Sequence, residues 1–276
     1  MRRIAAGLIV IMSVLLVSCK GKTGNTITVG NDKLDNTQSY FSESMHKAAR
    51  CDSGYYYLDK CGASADNLMF YDDKSEESIV LCNKPQCGHD GEECMAYISG
   101  SEFKSELYYY NSYIYMISSK GNLVRISADG TQRTDLGSIC VLSGQDSVSM
   151  CFNDGYAYVS QEITGDIEGN VTVRLHRFNL DTGLSDKIYE ETGYGIGINS
   201  LKTYGSDTFF LKTSVSKDDK GLYSLEGKGI FRITGEDTEC LLDKNVYSYC
   251  IDADNNKLYY SGLGDGTIYE LSLIHI

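Results

Sequence analysis

Apolar and aromatic residues alternate with other side chains in short runs along most of this chain, and the runs come in pairs. The first of each pair reads aromatic-x-aromatic-apolar: Tyr55-Tyr56-Tyr57-Leu58, Tyr113-Ile114-Tyr115-Met116, Tyr156-Ala157-Tyr158-Val159, Thr208-Phe209-Phe210-Leu211 and, more loosely, Leu258-Tyr259-Tyr260-Ser261. The second reads apolar-x-x-apolar-polar: Leu68 to Asp72, Leu123 to Ser127, Leu175 to Asn179, Ile230 to Thr234 and Thr267 to Leu271. In an extended strand alternate side chains share a face, so Tyr113 and Tyr115 project one way and Ile114 and Met116 the other. Bulk on both faces predicts strands sandwiched between neighbouring layers. Turn residues punctuate the runs: Asp52-Ser53-Gly54, Asn153-Asp154-Gly155 and Asn255-Asn256 before the first, Asp129-Gly130 and Asp181-Thr182-Gly183 after the second. These residue types tolerate the positive φ of tight hairpins.

The paired phrase recurs at steps of 58, 43, 52 and 50 residues. That is the period of a four-stranded propeller blade and too long for a leucine-rich or helical repeat. The expected fold is all-β, a β-propeller over residues 51–270 with about five blades present. The last is incomplete, stopping in its third strand, so the complete protein is expected to have six or more. A β-sandwich would leave the recurrence unexplained. The aligned Arg125, Arg177 and Arg232 are read as side chains whose stems pack between blades and whose heads reach water.

Polarity changes sharply at the start of the chain. Arg2 and Arg3 precede an apolar run, Ile4 to Leu15, which is short for a membrane span and ends at small residues, as a signal peptide does. Leu16-Val17-Ser18-Cys19 resembles the lipobox of bacterial lipoproteins. The resemblance implies cleavage after residue 18 and a diacylglyceryl group on Cys19, which would tether the protein to the cell membrane on its extracytoplasmic side. Residues 19–50 read as the lipidated N-terminus and a polar, flexible spacer, with one helical turn or a first strand at Met45 to Arg50. Removing residues 1–18 takes away two arginines and no acid, moving the net charge from −13 to −15. Such acidity disfavours nucleic acid as a partner and keeps the body off an anionic bilayer. A body with 22 tyrosines, 28 glycines, one proline and no tryptophan fits many strands and turns.

One segment has the look of chemistry. Cys82, Cys87, His89 and Cys94 form Cys-x4-Cys-x-His-x4-Cys around the only proline, Pro85. Three thiolates and an imidazole make a complete tetrahedral zinc set, closed and therefore structural. Outside the cytoplasm paired cysteines are usually disulfides, which here would leave one thiol over. The spacing does not choose between zinc and disulfide, and unpaired buried thiols are a third reading. No other cofactor is implied. Cys51 and Cys61 flank the first aromatic strand and could pair across a hairpin, whereas Cys140, Cys151, Cys240 and Cys250 are expected to be buried free thiols. Asp252-x-Asp254-x-Asn256 opens like a calcium loop but lacks its later glycine and glutamate, so it reads as a hairpin turn.

The blade phrase and the lipobox together resemble bacterial surface lipoproteins carrying a TolB-like or YWTD-like propeller, over about residues 51 to 270. Leu81 to His89 is also similar to a segment of uncharacterised lipoproteins from anaerobic Gram-positive bacteria. The literal Tyr-Trp-Thr-Asp phrase, the sialidase Asp-box and the quinoprotein tryptophan phrase are absent, as they must be without tryptophan. Residues 271–276, Leu-Ser-Leu-Ile-His-Ile, are similar to the translated end of a shotgun-library adaptor, so the sequence reads as a gene fragment.

Counting strand direction puts the connection between second and third strands on one rim with the connection to the next blade. Those are the longer ones: Gln161 to Asn170, Ser214 to Gly227, Ser261 to Gly266, and the cysteine-bearing Asn83 to Phe103. Loops on a rigid scaffold are where ligand residues concentrate. The candidates there are Asp166, Glu168, Asn170, Lys217, Asp218, Asp219, Asp265 and His89; Asp129 and Asp181 mark the opposite rim. No nucleophile elbow or triad is present, so no catalytic residue is named. These features imply a binding or interaction module for a protein or glycan. The rivals are a propeller-type hydrolase or lyase acting on polysaccharide, and an assembly subunit of an envelope complex.

Overall fold

The computed structural model describes residues 48–103, 107–143, 146–165, 169–235, 237–252, 254–262, 264 and 266–273. Among them are twenty strands and no helix, hence none long and apolar enough to cross a membrane. The first sheet is β1 (Ala48–Cys51), β2 (Gly54–Lys60), β3 (Ala65–Asp72) and β4 (Glu77–Val80), with β5 (Tyr97–Ser99) also on β3. The second is β6 (Tyr108–Tyr110), β7 (Tyr113–Ile117), β8 (Asn122–Ser127) and β9 (Arg133–Ser138). The third runs β10 (Ser147–Asn153), β11 (Tyr156–Thr164), β12 (Asn170–Asn179) and β13 (Ser185–Tyr194). The fourth runs β14 (Gly197–Tyr204), β15 (Asp207–Lys217), β16 (Tyr223–Thr234) and β17 (Asp237–Leu242), and the fifth β18 (Val246–Asp252), β19 (Lys257–Gly262) and β20 (Ile268–Ser272).

Every sheet is an antiparallel meander in chain order, and the first strand of each lies against the first strand of the next. This is the arrangement of propeller blades, five of them, the fifth with three described strands. Four hydrophobic cores fill the four spaces between blades. Ile114 and Met116 pack with Tyr56, Leu68 and Phe70 of the first blade, while Tyr115 and Ile117 pack with Phe152, Ala157 and Val159 of the third. Both faces are apolar because both are buried against a neighbour. The third and fourth blades meet through Cys151, Tyr158, Ile198 and Phe210, the fourth and fifth through Phe209, Leu211, Tyr249 and Leu258.

Alignment of the phrase by aromatic identity proves one residue out in three blades. The hairpin before the second strand closes on the pairs Cys51↔Gly54, Tyr110↔Tyr113, Asn153↔Tyr156, Tyr204↔Asp207 and Asp252↔Lys257. Counted from those turns, Gly54, Asp207 and Lys257 correspond to Tyr113 and Tyr156. A one-residue slip exchanges the faces, and the turn sets the register. The three arginines remain equivalent, each two residues before its strand ends. Arg125 lies over the Tyr113 ring and Arg177 over Tyr156, and Arg232 reaches Asp207 at 3.6 Å and also pairs with Glu239.

The first described strand begins at Ala48, where Ala49 pairs with Tyr56 across the first hairpin. The expected signal peptide, the expected lipidation at Cys19 and the expected spacer to residue 47 lie outside the described residues. At the other end Leu271 and Ser272 belong to β20, the Leu273 N–H donates to Asn256 O at 2.8 Å, and Leu271 and Leu273 pack on the last core. Ile274, His275 and Ile276 lie outside the described residues.

Candidate metal centre and ligand-binding rim

The cysteine cluster is an excursion from the outer strand of the first blade. β4 pairs with β3 from Asp72 to Met69, and β5 pairs with the same strand from Asn67 to Ala65. Leu68 marks the break: its carbonyl accepts the Leu81 N–H at 2.8 Å, and its own N–H donates to Ala96 O at 2.7 Å. β4 and β5 are therefore two halves of one fourth strand, with residues 82–96 inserted between them. The expectation that this segment lies on the long-loop rim, with His89 as a rim residue, is corrected: it leaves the middle of the blade at its outer edge. There it meets the turn between β8 and β9, where Asn83 N–H donates to Gly130 O at 3.3 Å. Gly130 has φ +69°, and a Cβ there would strike the Leu81 carbonyl at 2.8 Å, so glycine permits the approach.

Within the excursion the four sequence-predicted ligands come together. One donor atom from each of Cys82, Cys87, His89 and Cys94 lies within 4.8 Å of the others, and His89 Nδ1 is 3.3 Å from Cys94 Sγ. Gln86 and His89 hold left-handed backbone, φ 59° and 58°, unusual for residues with a Cβ. Lys84 Nζ reaches Glu93 Oε2 at 3.2 Å and closes the base of the loop. Burial raises the Cys94 thiol to about 12, offset only in part by the Ala96 N–H. Burial also pushes Cys82 up, but N–H groups from Lys84 and Met95 and the Cys94 and Cys87 thiols outweigh it and hold Cys82 below its ordinary range.

The other described cysteines are free. Cys51 is buried and Cys61 exposed, so they do not form the hairpin pair considered above. Cys140 and Cys151 are buried as expected, whereas Cys240 and Cys250 are exposed, against expectation. Cys240 lies on an outer strand, and Cys250 on a blade face with no described neighbour.

The hairpin turns follow the alternation of direction: first-to-second and third-to-fourth turns emerge at one end of each sheet, second-to-third turns at the other. The long connections are shorter than expected because the strands continue. β11 and β12 leave only residues 165–169 between them, and β15 and β16 leave only 218–222. β14 pairs with β15 no further than Thr213, and β17 with β16 no further than Ile230, so residues 214–226 project as a freestanding ribbon. Val215 opposes Leu225 and Lys217 opposes Tyr223, so these four share one face; Ser216 and Ser224 bond at 2.8 Å on the other.

That face leans on the preceding blade. Tyr223 stacks on Tyr194, with centroids 6.1 Å apart and planes at 22°, and Lys217 Nζ is 5.1 Å from the centre of the Tyr223 ring. Hydrogen bonding between the two hydroxyls, with Lys217 adding to it, holds Tyr223 below the usual phenol range and Tyr194 above it. Gly169, at φ +85°, makes room for the Tyr194 ring, which a Cβ would meet at 2.8 Å. Tyr194, Leu222, Tyr223 and Leu225 are 40%, 65%, 59% and 59% exposed, large apolar side chains on the ribbon and the neighbouring blade that the sequence reading missed. The legible signal was alternation running on through Thr213-Ser214-Val215-Ser216 and Tyr223-Ser224-Leu225-Glu226. Of the expected rim residues, Asn170 pairs with Tyr194, and Lys217 borders Tyr223. Asp219 is exposed in the turn, while Asp218 is committed to shaping it, accepting N–H groups of Lys220 at 2.9 Å and Leu222 at 2.8 Å. Asp166, Glu168 and Asp265 lie outside the described residues.

A buried polar network stands nearby in the third blade. His176 Nε2 is 3.2 Å from Gln161 Oε1, and Gln161 Nε2 donates to Val141 O at 2.9 Å and Asp146 Oδ2 at 2.8 Å. With the amide nitrogen so engaged, the histidine must donate from Nε2. Burial, with Arg174 and Lys187 adding, pushes His176 from 6.5 to about 4, so the ring is neutral at pH 7. A depressed histidine contributes stability that is full above its unfolded value and lost as pH falls from 6.5 toward 4. With allowance for solvent screening the loss is about 2 kcal/mol. His176→Gln should flatten the unfolding free energy across that window, as read by urea titration at several pH values. A variant as acid-labile as the parent would contradict this role.

No protein-family model matches the chain, and no curated protein matches it. Among solved structures it is similar to oligogalacturonate lyase from Vibrio parahaemolyticus, at 6% identity and TM-score 0.38, covering 83% of this chain and 89% of that one. It is also similar to an oligogalacturonate lyase in complex with manganese, at 10% identity and TM-score 0.41, covering 84% and 77%. A third is quinohemoprotein alcohol dehydrogenase from Comamonas testosteroni, at 11% identity and TM-score 0.43, covering 85% and 43%. Likeness of this size carries no chemistry across, and the assignment of blades rests on the sheet order and the inter-blade cores.

Proposed function

We propose that this chain is a membrane-tethered, extracytoplasmic propeller that binds a protein ligand on its long-loop rim. The reading is carried by the exposed Leu222, Tyr223 and Leu225, raised on a ribbon that no strand of its own sheet flanks, with the exposed Tyr194 of the preceding blade stacked on Tyr223. Aromatic residues among aliphatic ones, rimmed by Lys217 and Asp219, have the make-up of an interface centre with a polar edge. A glycan site would also stack on tyrosine but would need hydrogen-bonding groups where Leu222 and Leu225 stand. An assembly role in an envelope complex is one form of the same reading. The tether is supported by the lipobox ending at Cys19, and the net charge of −13 speaks against nucleic acid.

Photo-crosslinking residues placed at Leu222 and, on the opposite rim, at Asp181 test this in intact cells. A discrete protein adduct is expected from position 222 alone, and Tyr223→Ala should weaken capture roughly 30-fold, the scale of an aromatic hot spot. Equal adducts from both rims would refute the assignment. So would oligosaccharide binding that Tyr223→Ala abolishes while no protein adduct forms.

A further inference from the structure

We propose that Cys82, Cys87, His89 and Cys94 hold one zinc ion, which closes the excursion from the first blade and fixes it against the second. The donor set is complete in number and kind: three sulfurs and one imidazole, all within 4.8 Å, with His89 Nδ1 3.3 Å from Cys94 Sγ. A tetrahedral zinc, about 2.3 Å from sulfur and 2.0 Å from nitrogen, places its ligand atoms roughly 3.5–3.8 Å apart, so small movements satisfy all four. A disulfide needs two sulfurs at about 2.05 Å and leaves the third thiol and the imidazole facing it without a task.

Thiolate and imidazole donors select zinc over calcium or magnesium, and four protein ligands leave no open position for substrate.

The fold supplies the need for such a clip. Residues 82–96 leave and re-enter one strand at Leu68 and contribute only Cys94 and Ala96 as fully buried apolar residues. A segment of this length with so little core of its own gains much of its order from a cross-link. Once ordered, it presents Asn83 to the Gly130 carbonyl, so metal binding in one blade braces its contact with the next.

Metal content of the full chain, purified under reducing conditions, decides the matter. About one zinc per chain is expected, and exchange with cobalt should give thiolate-to-cobalt charge-transfer absorption with tetrahedral d–d bands. His89→Ala and Cys87→Ser should lower zinc affinity at least 100-fold, His89→Cys should retain it, and Cys61→Ser, remote and exposed, should change nothing. Ligand variants can fail to fold, so the unmodified protein is also treated with a chelator. Alkylation of Cys82 and Cys87 should then quicken at least 100-fold and slow again when zinc is restored. A protein free of zinc whose thiol count, when it is prepared without reductant, rises by two on reduction overturns the proposal in favour of a disulfide. Zinc retained equally by His89→Ala and Cys87→Ser, or alkylation indifferent to chelation, overturns it as well.

Discussion

Replacing Phe152 with alanine should destabilise the protein by about 4 kcal/mol, the middle of the range for buried aromatic truncation. Phe152 is 1% exposed at the centre of the core between second and third blades. Its ring centroid is 4.5 Å from that of Tyr115, 5.2 Å from Tyr110 and 6.2 Å from Tyr108. These neighbours cannot readily collapse into the space. The Tyr108 hydroxyl accepts the Met150 N–H at 3.1 Å, and that of Tyr110 accepts the Gly155 N–H at 3.3 Å. The cavity therefore stays open, and the cavity contribution adds to the lost transfer free energy. For a body of this size the midpoint should fall by roughly 10 °C, with Phe152→Leu losing less than half as much. Thermal and urea unfolding of both variants measures this. A loss below 1 kcal/mol for the alanine variant would mean that the two blades do not meet through this ring.

Cys250 should react with a thiol reagent at least a thousandfold faster than Cys151 in the native protein. The two occupy matching places, each two residues before its hairpin closes, opposite Tyr158 in the third blade and Tyr259 in the fifth. Cys151 is fully buried because the fourth blade covers it with Ile196, Ile198 and Leu201. Cys250 is exposed, as is Tyr247 on the same strand, because no further blade is described beyond it. Thiolate is the reactive species, and burial also raises the Cys151 thiol, so its labelling must wait for local opening. Mass spectrometry of timed alkylation reads both sites in one experiment. Protection of Cys250 equal to that of Cys151 would show that something covers the fifth blade.

Much of this protein is readable in its one-dimensional pattern. The recurring pair of apolar runs identified second and third strands of each blade, and the turn residues located their hairpins, because alternation and positive φ are local properties. Cys82, Cys87, His89 and Cys94 were also legible, since close spacing along the chain keeps donors within reach of one another. Register was less so. Tyr55, Thr208 and Leu258 open the apolar phrase as Tyr113 does, yet hairpin geometry assigns that place to Gly54, Asp207 and Lys257, and one residue reverses a face.

What only the tertiary structure decided depends on neighbours distant in sequence. Cys151 and Cys250 are alike locally and differ in burial because a fourth blade lies against one and none is described against the other. The excursion became an interruption of a strand only when β4 and β5 were seen on the same partner, β3. Tyr194 and Tyr223 form a surface because two blades bring their ends together. The sequence by itself determined strands, turns and the grouping of Cys82, Cys87, His89 and Cys94, which follow from backbone preference and short-range spacing. Which faces are covered, and which side chains remain exposed together, followed from packing between blades, where the partners of a residue are set by the whole arrangement.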